Sequence, residues 1–83
     1  MPMTDAEAAG FIDQAAQDLL NRARNARDWR AESLYRGWNT HISSIGKVLD
    51  RARELITNAG RQLDIPDFNA YVNRTMHEGN YLS

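Results

Sequence analysis

The fold of this chain is decided by residues 31–63, which read AESLYRGWNTHISSIGKVLDRARELITNAGRQL. Apolar residues recur there at alternating steps of four and three, a spacing that places them on one face of an α-helix. We call this series the apolar ladder. It comprises Ala31, Tyr35, Trp38, Ile42, Ile45, Leu49, Ala52, Ile56, Ala59 and Leu63.

The apolar face is wider than a contact between two helices requires. Leu34, Val48 and Leu55 form a second column beside the ladder, whereas opposite positions such as Ser44 and Lys47 are polar. The extra column predicts a second neighbour, which is either another helix of the chain or a second copy. We expect one helix over about 30–60. Its core or oligomer seam is expected to comprise Tyr35, Trp38, Ile42, Ile45, Leu49 and Ile56.

A first helix is predicted over about 4–27, because Thr4 and Glu7 have the spacing of a capping box. Extending the ladder backwards places Asp28 on the apolar face, so we expect a turn there, with Asp28 capping the second helix. One uninterrupted helix of more than 50 residues is the alternative, because no glycine or proline lies between Gly10 and Gly37.

The chain beyond the ladder predicts a short third helix over about 66–78, since proline is favoured in a first helical turn and Pro66 lies there. Gly60 is expected to end the second helix in a left-handed conformation. Residues 79–83 are expected to form a tail.

These elements predict a single all-α domain over residues 1–83. We expect a helical hairpin of two long helices plus a short C-terminal third helix, assembled as a dimeric helical bundle. A chain this short buries only about 60–65% of the surface that it exposes when unfolded, and a homodimer would extend its small core.

Composition and charge exclude several classes of protein. The chain has no cysteine, which rules out a disulfide framework, and its net charge of −1 argues against a general polyanion binder. It has neither the features of a secretory signal peptide nor an apolar run of the roughly 20 residues that a membrane span needs. We therefore expect a cytoplasmic protein with no membrane association.

No residue pattern indicates a reaction. His41 and His77 lack a second ligand at helical spacing, and Ser43 and Ser44 are expected on the polar face of the second helix. We expect a protein that is not an enzyme, with no catalytic residue, no metal and no cofactor.

The candidate binding residues lie between Arg22 and Arg36, where five arginines are interleaved with aromatic residues. Arginine and tryptophan are enriched at interface hot spots, and aromatic residues among basic ones also stack on nucleic-acid bases. Trp29 lies off the ladder, where it either faces a partner or plugs the end of the hairpin. The partner-binding candidates are Arg24, Arg27, Trp29, Arg30 and Arg36.

Two functions follow from this pattern. The first is a protein–protein interaction module: a small adaptor, regulator or stoichiometric inhibitor, such as a bacterial accessory protein or a phage-encoded inhibitor. The alternative is a nucleic-acid-binding protein that uses the basic and aromatic patch from Arg22 to Arg36.

A third functional hypothesis comes from a sequence pattern: Trp29 is followed by Leu34-Tyr-Arg-Gly-Trp38 and by a long helix with an apolar face. This arrangement resembles the small secreted helical hairpins of the WXG type, in which a W-x-G turn joins two helices. Residue 31 is alanine where that motif has glycine, and the Y-x-x-x-D/E export signal of the family is absent. The resemblance implies a secreted helical hairpin and carries no further function.

We predict that Leu49→Asp unfolds or dissociates the protein, because it places an unpaired charge in the apolar seam. Circular dichroism and light scattering measure the outcome. Lys47→Asp, on the polar side of the same helix, is the control and is expected to keep helicity and mass. A Leu49→Asp variant with unchanged helicity and mass would refute the ladder.

Overall fold

The chain folds into α-helices joined by short connectors, as seen in a computed structural model that describes residues 2–77. The helices are α1 (Asp5–Asn25), α2 (Trp29–Arg36), α3 (Ile42–Asn58) and α4 (Ile65–His77). Single 3-10 turns lie in two connectors, over Trp38–Thr40 and Gln62–Asp64. No strand occurs between residues 2 and 77, which confirms the predicted all-α class. The predicted tail over 79–83 lies outside the described residues.

The predicted start of α1 and the turn after it are both present. The Glu7 N–H donates to Thr4 Oγ1 at 3.1 Å, and the Thr4 N–H donates to Glu7 Oε1 at 3.2 Å, which forms the capping box. α1 ends at Asn25, and the Ala31 N–H donates to Asp28 Oδ1 at 3.1 Å as α2 begins. These contacts exclude one uninterrupted helix.

The core forms where the apolar face of α3 meets α1 and α4. Ile45, Leu49 and Ile56 are buried, as predicted for the ladder. The rest of the buried cluster comprises Ala8, Ile12, Ala15, Ala16, Val48, Ala52, Phe68 and Val72. Two helices of the same chain therefore cover the face that was expected to hold a second copy.

The predicted helix over 30–60 is wrong in its first half, because α2 ends at Arg36 and α3 begins at Ile42. The connector over 37–41 reads GWNTH, and its glycine, asparagine, threonine and histidine together disfavour a continuous helix by about 2–3 kcal/mol relative to alanine. A helix over 30–60 would also extend about 46 Å, roughly 15 Å beyond the 21-residue α1. The break lets α2 pack on α1 instead.

The break also changes which residues face the core. Tyr35 and Trp38 are half-buried against the core, whereas Ile42 is 77% exposed and so lies outside the predicted seam. Ser44, expected on the polar side, is fully buried, and its hydroxyl lies 2.8 Å from the Trp38 carbonyl oxygen and 3.0 Å from that of His41. The core position predicted for Ile42 and the polar-side position predicted for Ser44 are wrong because α3 does not continue the rotation of α2.

α1 and α3 end in the same hydrogen-bonded motif with different residues at its left-handed position. After α3, Gly60 has a φ of 76°, as predicted, and the next N–H donates to the Ile56 carbonyl at 3.0 Å. After α1, Arg27 has a φ of 56°, and the next N–H donates to the Ala23 carbonyl at 3.0 Å. This is the Schellman motif, in which a residue with a Cβ is disfavoured by about 1–2 kcal/mol.

Ion pairs tie the start of α1 to the connector between α3 and α4. Arg61 pairs with Glu7 and with Asp64, whose side chain is nearly buried. The hydrogen bond from Arg61 holds the pKa of Glu7 below its ordinary value, with a further contribution from the backbone of Thr4. The start of α1 and the connector before α4 are therefore joined through charge as well as through the apolar core.

We predict that Glu7→Gln lowers the Tm at neutral pH and has little effect in acid. Because folding lowers the pKa of Glu7, its ionised form adds stability above the ordinary value of 4.5, and this stability is lost as the pH falls below that value. Glutamine keeps the capping box, so the substitution removes mainly the charge. Thermal unfolding across pH measures the effect, with Asp13→Asn, an exposed acid of α1, as the control. An equal loss of Tm at both pH values contradicts the prediction.

We predict that Arg27→Gly raises the free energy of unfolding by roughly 0.5–1 kcal/mol, because glycine relieves more left-handed strain than it adds in unfolded-chain entropy. Urea denaturation measures this change. Gly60→Ala is the reciprocal test: a Cβ there meets no atom within 4 Å, so only its φ is unfavourable, and we expect a loss of about 1 kcal/mol. If Arg27→Gly is destabilising, the arginine makes contacts that outweigh its strained backbone.

Candidate functional site

α2 is a surface helix in which no residue is fully buried. Its inner side packs on α1 and consists mainly of half-buried apolar residues. Its other side is exposed, and successive residues there follow helical spacing. We call this side the outer face of α2; it comprises Trp29, Arg30, Ser33 and Arg36.

Trp29 is the first residue of α2, and 72% of its surface is exposed. It therefore does not plug the end of the hairpin, which was one of the two sequence interpretations. A single exposed apolar residue is common on protein surfaces. The distinctive feature of Trp29 is that cationic side chains surround it in sequence, at positions 27, 30 and 36.

Glu32 holds two of the candidate arginines. Its Oε1 accepts hydrogen bonds from Arg24 Nε at 3.0 Å and from Arg36 Nη2 at 2.8 Å, and its side chain is only 12% exposed. The bond to Arg24 crosses the turn and joins α1 to α2. Both arginines are about half exposed or more, so each ion pair contributes at most about 1 kcal/mol.

Arg27 and Arg30 differ from the other two arginines. Both are exposed, and neither side chain forms an ion pair with any residue between 2 and 77. Arg27 lies at the left-handed turn position and Arg30 in the first turn of α2, on either side of Trp29 in the chain. Unpaired positive charge therefore flanks the exposed indole.

A shallow, open depression lies on the flank of α2, lined by Asp28, Arg30, Ala31 and Leu34. Ala31 and Leu34 supply its apolar surface, and Asp28 already accepts the capping hydrogen bond. Arg30 follows Trp29 around the helix and also lines this depression. The Arg30 guanidinium thus belongs to a surface with apolar groups on both sides.

The two histidines lie at helix ends: His41 precedes α3, and His77 is the last residue of α4. His41 is exposed at the start of α3, and its side chain forms no capping hydrogen bond. The side chain of His77 is not among those that the structure describes. Between residues 2 and 77, no group of three or more histidine, cysteine, aspartate or glutamate side chains could hold a metal ion. In the same range, no helix is long and apolar enough to cross a membrane.

The sequence places the candidate arginines in one segment but gives no signal for some of their contacts. The pair between Arg24 and Glu32 was missed, because a spacing of eight residues gives no signal until the turn geometry is known. Ile42 and Leu63 are 77% and 94% exposed, although the ladder predicted an apolar environment for both.

Comparisons with known proteins give this chain no relative: no protein-family model, no curated protein and no solved structure matches it. The resemblance to WXG-type hairpins therefore rests on the quoted residues alone. The fold also differs from a hairpin of two long helices, because α2 is short and α4 packs on the core.

Proposed function

We propose that this protein is a non-enzymatic interaction module that binds a protein partner through the outer face of α2. The observation that carries the proposal is the 72% exposure of Trp29 between Arg27 and Arg30, neither of which is held by an ion pair within the described residues. Tryptophan and arginine are the residue types most enriched among those that dominate binding energy.

The exposed area of Trp29 is large enough to matter for affinity. A tryptophan side chain buries about 150–250 Å² at an interface, so covering the exposed part of Trp29 contributes roughly 3–4 kcal/mol at about 25 cal/mol per Å². That free energy corresponds to a more than hundredfold decrease in the dissociation constant, before the entropic costs of association are subtracted. One residue can therefore account for a substantial part of binding.

Such a module acts by occupying a surface of its partner. The role is that of a small adaptor, regulator or stoichiometric inhibitor, of the kind found among bacterial accessory proteins and phage-encoded inhibitors, and we place it in the cytoplasm. A homodimer belongs to the same proposal. Since α1 and α4 cover the face of α3, a second copy would use other exposed apolar residues, such as Trp29 or Leu63.

We predict that Trp29→Ala combined with Arg30→Ala leaves helicity and Tm nearly unchanged but reduces partner binding by at least about tenfold. The measurement is capture of partners from a lysate of the native host by the full chain, quantified by mass spectrometry. The captured protein is then purified and titrated against each variant.

The matched control is Ile42→Ala with Lys47→Ala, which also removes one exposed apolar residue and one exposed cation, but from α3. We expect it to bind like the unmodified chain. The proposal fails if the two double variants lose binding equally, if neither loses it, or if the variant at residues 29 and 30 unfolds.

A further inference from the structure

We infer that the partner presents an acidic segment to the outer face of α2, in which carboxylates alternate with apolar side chains. This inference rests on the proposed function and specifies the chemistry of the partner.

Only some of the arginines near Trp29 are available to pair with a partner's carboxylates. Glu32 accepts from Arg24 and Arg36, so a partner that pairs with those arginines competes with an existing carboxylate. Arg27 and Arg30 have no such partner in the described chain. A carboxylate that pairs with either of them therefore breaks no ion pair, and a bidentate pair with guanidinium also fixes orientation.

Apolar groups lie on both sides of Arg30 around the helix. Trp29 lies on one side of Arg30 around the helix, and the apolar part of the depression, which Ala31 and Leu34 line together with Asp28, lies on the other. A ligand group that pairs with Arg30 is thus placed with apolar surface on both sides. A segment with an apolar residue before and after an acidic one matches this order.

The charges around Trp29 favour an acidic protein segment over a nucleic acid as the ligand. Each phosphate contact contributes about −0.9 to the slope of log affinity against log salt, so two unpaired arginines give a slope of only about −2. Asp28 lies beside these arginines at the start of α2 and repels a continuous run of phosphates. A pair of carboxylates on a segment with apolar residues suits this mixed surface better than a uniformly charged backbone.

The experiment is a selection of random displayed peptides on the immobilised full chain, with counter-selection on the Trp29→Ala variant. We expect the enriched peptides to carry aspartate or glutamate next to aliphatic or aromatic residues. A synthetic enriched peptide is then titrated against Arg30→Glu and Lys47→Glu, which change the net charge equally. Arg30→Glu is expected to weaken binding by about tenfold or more, and Lys47→Glu by less than about twofold.

The Arg30→Glu variant is expected to fold, because a negative charge in the first turn of α2 is favourable to the helix dipole. Circular dichroism checks this. Titration of a single-stranded oligonucleotide against the same variants forms a second arm. Trp29-dependent binding of the oligonucleotide without enrichment of acidic peptides overturns both the inference and the proposed function in favour of nucleic-acid binding.

Two other results overturn the inference while leaving the proposed function in place. One is enrichment of neutral or basic peptides that still depend on Trp29. The other is an absence of Trp29-dependent peptides when capture of a protein from the lysate still requires Trp29 and Arg30. Equal weakening by Arg30→Glu and Lys47→Glu also overturns it, since binding would then respond to net charge rather than to the outer face of α2.

Discussion

The structure depends on one requirement: the apolar face of α3 must be covered by a chain of only 83 residues. α1 meets that face largely with alanines, and Ala52 on α3 is fully buried, so small side chains make up much of this contact. α4 supplies the large group of this core, the fully buried ring of Phe68, and the guanidinium of Arg53 lies 5.5 Å from its centre. α1 packs along α3, so the residues that join these two helices have to fold back along α1. The helix in that segment, α2, is therefore short.

That requirement explains which parts of the fold were predictable from sequence. Local signals with a stereochemical cause were confirmed: the capping box at Thr4 and Glu7, the cap at Asp28, and the left-handed Gly60. The break over 37–41 was missed because the ladder continues through it without a change in period. Periodicity reports which residues are apolar, but it does not report whether a long helix has a neighbour along its whole length. Propensity in GWNTH was the available signal, and it is weak beside an unbroken apolar pattern.

The same limit applies to the candidate site. The type and position of its arginines could be read from sequence, since they are concentrated between residues 22 and 36. Which of these arginines form ion pairs could not be read from the sequence, because the pairing depends on the turn that brings Glu32 to Arg24. Exposure of Trp29 likewise depends on where α2 begins. A helix that began a residue earlier or later would rotate the indole by about 100° relative to α1.

The turns that end α1 and α3 treat the same structural problem differently, and the contrast supports a binding role for α2. At the connector after α3, glycine occupies the left-handed position and Arg61 is paired with two carboxylates, even though Leu63 is exposed beside them. At the turn after α1, an arginine occupies the left-handed position, and unpaired cations flank an exposed indole. None of these three features stabilises the monomer, and all lie within a turn and the first turn of one helix that contributes no fully buried residue. Departures from local stability that cluster on one surface, while the rest of the chain is consistent with its fold, are typical of a site that functions through contact with another molecule.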